Sequence, residues 1–247
     1  MKTLIDLFNT FAALGDKTVF VNRTGVRRLV VSYREFHALA LKMANLLAQN
    51  GVEQGDRVLI WGPNSSWWAV AYWGIIIRGA VAVPVDFMSD LARAESIRNL
   101  TKAKIVLQGR FKPERVTAGT LMLLEDLRYL LEDIGPIGDL ASPAAEDTAQ
   151  LIYTSGTTGN PKGVILTHKN LIANLTQINR QVPIITSDFT FLSLLPLSHM
   201  FEQMAGFFTP LYRGVSHGPC RSNSCSGERT IVRDTCRSKI CCQRSIG

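Results

Sequence analysis

The run Thr154-Ser155-Gly156-Thr157-Thr158-Gly159-Asn160-Pro161-Lys162-Gly163 packs four hydroxyls, three glycines and a lysine into ten residues. Those residue types together suit a polyphosphate. Gly156, Gly159 and Gly163 open backbone angles closed to other residues and let the chain approach a ligand closely. Backbone N–H groups and the hydroxyls of Thr154, Ser155, Thr157 and Thr158 can donate to phosphate oxygens. Lys162 adds a compact positive charge. This is not the G-x-x-x-x-G-K-[ST] loop, because Pro161 stands where that pattern needs glycine. A plain polar turn rarely needs so many residues of this kind. Further on, Leu194-Leu195-Pro196-Leu197-Ser198-His199-Met200-Phe201-Glu202 sets a histidine and an aromatic behind a proline turn. Taken alone, a histidine in that setting is a structural residue as readily as a chemical one.

Positioning these groups requires a scaffold, and the pattern of apolar residues supplies one. Residues 3–14 carry helical spacing, and Thr18–Asn22 and Arg28–Tyr33 alternate around Arg23-Thr24-Gly25 as a hairpin does. Ser32 and Glu35 make a capping-box pattern that opens a helix with Phe36, Leu39, Met43, Leu46 and Leu47 on one face, closed by Gly51. Arg57–Trp61 reads as a buried strand, followed by a helix capped at Ser65 or Ser66 and running through Ile77. Then come a strand at Val81–Val85, a helix from Ser89 to about Lys102, and strands at Lys104–Gln108 and Leu121–Leu124. Strands alternating with helices predict an α/β fold with a parallel sheet. Residues 134–148 are rich in proline, glycine and alanine and read as a linker or surface loop. Residues 1–133 are therefore expected to form a first α/β subdomain, and 149–215 to begin a second. That second part opens with Ala149–Tyr153 and Val164–Thr167 as the strands on either side of the hydroxyl-rich loop. The loop thus joins two strands and has no helix N-terminus behind it.

Charge and cysteine distribution separate the last residues from the rest. The net charge is +7, of which residues 216–247, with six basic and two acidic side chains, hold +4. No basic stripe interleaved with aromatics runs through the body, so nucleic acid is not an expected partner. All five cysteines (Cys220, Cys225, Cys236, Cys241 and Cys242) lie in that same stretch. A cysteine-free body suits a reducing, cytoplasmic setting. The most apolar window, Trp67–Val85, contains Arg78-Gly79 and changes from helical to strand character, so no transmembrane span is expected. His37 and His168 are expected to be structural, and Trp61, Trp67, Trp68 and Trp73 to be core.

The loop and its flanks, Tyr153 through Val164, closely resemble the signature of the adenylate-forming superfamily, which includes acyl-CoA synthetases, firefly luciferase and peptide-synthetase adenylation domains. The likeness extends upstream through Gly55-Asp56-Arg57-Val58 and Gly79-Ala80-Val81-Ala82-Val83-Pro84-Val85. The Leu194–Glu202 stretch resembles the family's second motif in its long-chain fatty acyl-CoA ligase form. The resemblance implies that Thr154, Ser155, Gly156, Thr157, Thr158, Gly159 and Lys162 hold the phosphates of ATP, with Thr154 near Mg2+. It implies that His199 borders the carboxylate and adenylate, with Phe201 walling the pocket. The reaction implied joins a fatty acid to coenzyme A through an acyl-adenylate, with ATP and Mg2+. Peripheral contact with the inner face of the membrane is compatible with such a substrate.

The same resemblance implies a truncated version of the family's fold, layered parallel-sheet subdomains with flanking helices. By the sequence reading it stops near Val215, before the segments that border adenine and ribose and before the small C-terminal domain. The expectation is an inactive fragment whose residues 216–247 are an aberrant, irregular tail, most simply an out-of-frame translation. Two alternatives stand beside it: a ligase for another carboxylate, and a non-catalytic nucleotide- or partner-binding protein with a cysteine-rich tail. Cys220-x4-Cys225 and Cys236-x4-Cys241 repeat a spacing, but structural zinc sites favour tighter pairs.

Overall fold

The computed structural model describes residues 1–24, 27–117, 119–154, 162–182 and 189–218. Ser155, Gly156, Thr157, Thr158 and Gly159 lie outside the described residues, as do all five cysteines and the zinc spacing they suggested.

Local signals set most of the elements. Thr3 and Asp6 cap each other's backbone to start α1 (Leu4–Asn9), which gives way to a 3-10 turn at Phe11–Leu14 where a single helix was expected. A hairpin follows, β1 (Thr18–Thr24) and β2 (Arg27–Ser32), antiparallel. Ser32 and Glu35 form the reciprocal cap of α2 (Tyr33–Gln49). Gly51 takes a left-handed φ of 75° just past its end, a conformation that costs glycine nothing. Strand β3 (Arg57–Trp61) leads to α3 (Ser66–Ile77), whose N-cap is Ser65 through its bond from the Trp68 N–H. Strand β4 (Val81–Val85), helix α4 (Leu91–Thr101), β5 (Ile105–Gln108) and β6 (Thr120–Leu123) complete the alternating run, with a short α5 (Leu127–Leu130) after it. The apolar window at Trp67–Val85 is thus a helix, a turn at Arg78-Gly79 and a strand. Among the described residues no helix is long and apolar enough to cross a membrane.

Residues 134–147 carry neither helix nor strand. They lie across α2 and α3, where Ile137 and Ala141 donate backbone N–H groups to the carbonyls of Leu41 and Ile77. The chain then re-enters the sheet as β7 (Thr148–Thr154), turns back as β8 (Lys162–Thr167), and runs into α6 (His168–Gln181). Strand order in this six-stranded sheet is β6-β5-β3-β4-β7-β8, parallel throughout except for the β7/β8 pair.

Alternation along the strands distributes the core to both faces. Val58, Ile60 and Ala82 point to one side and pack with Trp68, Trp73 and Ile76 of α3 and Met43 of α2. Leu59, Trp61, Val83 and Val85 point to the other and meet Ala94 and Ile97 of α4. Helices therefore cover both faces, the arrangement that parallel strands require. Trp61, Trp68 and Trp73 are buried and Trp67 is partly so.

The far end of the chain adds β9 (Thr190–Leu192), a π-helical segment Glu202–Phe208 continuing into α7 (Thr209–Tyr212), and β10 (Ser216–Gly218). Strand β10 inserts between β1 and β9, parallel to both, in a second sheet of order β2-β1-β10-β9. This corrects the expectation of irregular chain from Ser216 onward. Ser216–Gly218 pair because Phe20 and Phe207 offer His217 a buried aromatic setting, a long-range contact that local periodicity does not encode.

Candidate active site

Three neighbouring parallel strands, β3, β4 and β7, end at one edge of the six-stranded sheet, the edge where ligands of open α/β sheets bind. Each contributes one polar side chain that fixes the segment Ser193–Gln203. After β3, Asn64 donates to Ser193 Oγ at 2.8 Å and to the Leu195 carbonyl at 2.7 Å, and its Oδ1 accepts the Leu197 N–H at 2.8 Å. After β4, Asp86 Oδ2 lies 3.3 Å from His199 Nε2. Asp86 is itself pinned: Oδ1 accepts the Met88 N–H, and its carbonyl accepts the indole N–H of buried Trp61. From β7, Gln150 Nε2 donates to Gln203 Oε1 at 2.7 Å, and Gln203 Nε2 donates to the Leu197 carbonyl at 2.6 Å.

The proline turn is closed by its own backbone as well. The His199 N–H donates to Pro196 O, and the Gln203 N–H donates to His199 O. The His199 ring is more than half exposed and Phe201 stands 71% exposed, so both face open space beside the sheet edge. Glu202 is the opposite case. It is buried, and that burial pushes its carboxyl up from the usual range, with Ser193, Leu195 and Leu194 pulling partly the other way. The π-helical winding begins at this residue, a rare geometry that recurs at functional sites.

Thr154 and Lys162 close the hydroxyl-rich loop as a registered antiparallel pair at the ends of β7 and β8. Tyr153 pairs with Gly163, and a Cβ at Gly163 would come within 3.1–3.3 Å of the tyrosine ring. Glycine there lets the ring lie flat across the neighbouring strand at the loop's base. Lys162 is exposed at the loop's mouth, a cation set to meet anionic oxygens. These donors fit a triphosphate chemically. Among the described residues no group of three His, Cys, Asp or Glu side chains could hold a metal ion.

Sequence reasoning therefore singled out the loop ends and His199, but not Asn64, Asp86, Gln150 or Gln203. His168 and His37 take structural places. His168 is buried, with Nδ1 accepting the Leu4 N–H at 3.2 Å, and His37 stacks on Phe8 at 4.4 Å between ring centroids. Among the described residues, none of three surface depressions involves the site residues. One of about 680 Å³ lies between the chain start and α6, and one of about 380 Å³ lies among Arg57, Val81 and Thr148 at the opposite edge of the sheet.

The chain is similar to known proteins over most of its length. The sequence profile described as AMP-binding enzyme matches residues 7–242, so the likeness runs past Val215, where the sequence reading ended it. A long-chain-fatty-acid–[acyl-carrier-protein] ligase of Arabidopsis thaliana is 27% identical over 246 aligned positions, covering 84% of this chain and 34% of the relative. A malformin synthetase of Aspergillus tubingensis is 33% identical over 175 residues, covering 69% of this chain and 3% of the relative. Among solved structures, a fatty acyl-adenylate ligase of L. pneumophila, in complex with acyl adenylate and pyrophosphate, superposes with a TM-score of 0.75 at 26% identity. That match covers 89% of this chain and 40% of the other. A Mycobacterium tuberculosis fatty acyl CoA synthetase shares the fold at a TM-score of 0.77 and 22% identity. The chain thus spans between 3% and 46% of the length of these proteins.

Proposed function

Because the chain belongs to the AMP-binding enzyme family, we propose that it is the front part of an ATP-dependent ligase that activates a long-chain fatty acid as its acyl-adenylate. The observation that carries the reading is the sheet edge itself. The Thr154–Lys162 loop closes at the end of β7, and the turn of His199 is anchored on residues from that strand, from the end of β4 beside it and from beyond β3, next in the sheet. In the reaction, a carboxylate oxygen attacks the α-phosphorus of ATP and pyrophosphate leaves. In the second step the thiol of coenzyme A attacks the acyl carbon, and AMP departs with the carboxyl oxygen.

This chain's residues serve the first step. Backbone and hydroxyl donors of 154–159 and the Lys162 ammonium hold the β- and γ-phosphates and offset the charge that grows on the departing pyrophosphate. His199 flanks the carboxylate, and Phe201 walls the acyl side. A magnesium ion, bound with the triphosphate beside Thr154, would supply further charge stabilisation. The chain spans 34% and 40% of two ligases it matches, and we read it as inactive alone. The arginine-, serine- and cysteine-rich run beyond Gly218 is read as out-of-frame translation, against which the profile match through residue 242 weighs. Translating the coding DNA in all three frames decides between the two.

Titration of ATP into the chain tests the core of the reading. Lys162→Ala should weaken binding roughly tenfold or more, the scale of a hydrogen bond to a charged group. Equal affinity would refute the phosphate role. ATP–pyrophosphate exchange with palmitate should not rise above the Lys162→Ala control for this chain, and exchange above it would overturn the claim of inactivity. A second reading, that the carboxylate is something other than a fatty acid, is favoured by the 33% identity to malformin synthetase. Exchange with a panel of fatty, aromatic and amino acids, run on the full-length ligase, separates the two.

A further inference from the structure

We propose that Asp86 is a positioning residue that holds the His199 ring by its Nε2–H and so leaves Nδ1 as the nitrogen that meets the substrate's carboxyl group. That a carboxyl group arrives there rests on the reading above; the hold on the ring does not. Asp86 Oδ2 lies 3.3 Å from Nε2, at the long end for an N–H···O bond, as is common for catalytic contacts before a ligand is bound. An ionised carboxylate can only accept, so the proton sits on Nε2. Of the two ways the ring can be turned over, only the one with this nitrogen toward Asp86 makes the bond.

Both partners are held from behind. Asp86 follows β4 directly, its Oδ1 accepts the Met88 N–H at 2.9 Å, and its carbonyl accepts both the Trp61 indole N–H and the Ser89 N–H. The Lys112 ammonium clamps this turn from the chain beyond β5. It donates to the Ser89 carbonyl at 2.7 Å and lies 4.7 Å and 4.9 Å from the ring centroids of Trp61 and Phe87. On the other side, the His199 backbone is bonded at both its N–H and its carbonyl. The ion pair itself is partly exposed at both ends, a setting in which it adds little to stability. What this anchoring secures is therefore the orientation of the ring. With Nε2 taken up, Nδ1 is the nitrogen left for a ligand, on a ring more than half exposed. In the neutral ring Nδ1 carries a lone pair, and an ionised carboxylate brings no proton. One proton must therefore lie between Nδ1 and the carboxyl oxygen, brought by the acid or taken from solution. The Asp86 carboxylate balances the charge of the ring that holds it.

NMR of the chain labelled with 15N-histidine tests this, since a ring nitrogen with a proton and one with a lone pair resonate far apart. His199 is identified among the four histidines by its loss in His199→Gln. At about pH 8, well above the ordinary imidazole value, the wild type should show His199 with its proton on Nε2. Asp86→Asn should reverse this. The Met88 N–H selects the amide oxygen, which turns the NH2 toward Nε2, and Nε2 can then only accept. A wild type with the proton on Nδ1, or an Asp86→Asn spectrum like that of the wild type, overturns the hold by Asp86. Asp86→Ala serves if Asp86→Asn does not fold: the Nδ1–H form should appear beside the Nε2–H form, and an unchanged spectrum overturns the hold equally. Decanoate, a soluble fatty acid, should then move the wild-type Nδ1 signal from its lone-pair position toward its N–H position. No movement, with the proton on Nε2, refutes the acyl-site reading and the meeting at Nδ1 with it, while the hold by Asp86 stands.

Discussion

Asn64 engages the Ser193–Leu197 segment at three points with one side chain, and its importance was invisible in sequence. Its partner Leu197 lies 133 positions away, as Asp86 lies 113 from His199. No periodicity reports such pairings, because they follow from which strand ends become neighbours and not from any local spacing. The loop and His199 could be read because their residue types sit side by side along the chain. Asn64 sits in a Gly62-Pro63-Asn64 turn that reads only as punctuation. Its three hydrogen bonds, at a net of about 1 kcal/mol each with partial exposure to water, set the expectation for Asn64→Ala at a loss of about 1–3 kcal/mol. Urea denaturation of the purified variant measures this. A change in midpoint within experimental error would mean that the proline turn is held by Gln203 and its own backbone alone.

At the scale of elements, the contact between α2 and α3 is decided by one missing side chain. A Cβ at Gly74 would come within 2.3 Å of Met43 Cγ, 2.7 Å of its Cβ and 3.2 Å of the Ala44 nitrogen. Gly74→Ala would gain about 1 kcal/mol of helix propensity. Because backbone as well as a side-chain stem stands in the way, overpacking by about 1–3 kcal/mol should outweigh that gain. The expected result is a lower urea midpoint with an unchanged slope. The opposite edge of the fold poses a different problem. Strand β8 ends the sheet order and leaves Val164 and Ile165 46% and 64% exposed, a template for unwanted pairing. Ile165→Lys should therefore reduce self-association in light scattering while leaving thermal stability nearly unchanged. Elements with local signals were legible: the hairpin, the Ser32–Glu35 cap and the strands around α3 emerge where capping and alternation put them. Helix α6 was overlooked although Thr167 and Asn170 cap it reciprocally, since asparagine replaces the expected Glu or Gln. Strands β9 and β10 carry too few residues for alternation to show, and exist because β1 is there to pair with.

Over the whole molecule, the chain's beginning and its far end are held together by neutral histidines. His168, at the start of α6, accepts the N–H of Leu4, while His217 in β10 packs against Phe20 of β1 and Phe207. Tyr33 reinforces the closure by donating its hydroxyl to the Val215 carbonyl. Burial lowers the His168 pKa from its ordinary value, although Asp147 and Asp6 pull it back in part, and burial takes His217 down to about 3. His37 is lowered by burial too. In the unfolded chain all three titrate near 6.5, so as pH falls through that value the unfolded state takes up protons first. Their contribution is intact above about pH 6.5 and is lost as pH drops toward the folded-state values. Glu202 opposes them, because its carboxyl is raised and protonation relieves a buried charge. Asp6, Asp16 and Asp56 have lowered values and weaken the fold only at more acid pH, below the usual carboxylate range. The window between about pH 6.5 and about pH 5 therefore belongs to the histidines against one glutamate, and the urea midpoint should fall across it. His217→Phe keeps an aromatic ring between Phe20 and Phe207 but has no proton to gain, so its midpoint should fall less steeply over the same range. An identical slope in variant and wild type would show that His217 takes up its proton in the folded chain as readily as in the unfolded one, so that β10 does not keep it buried.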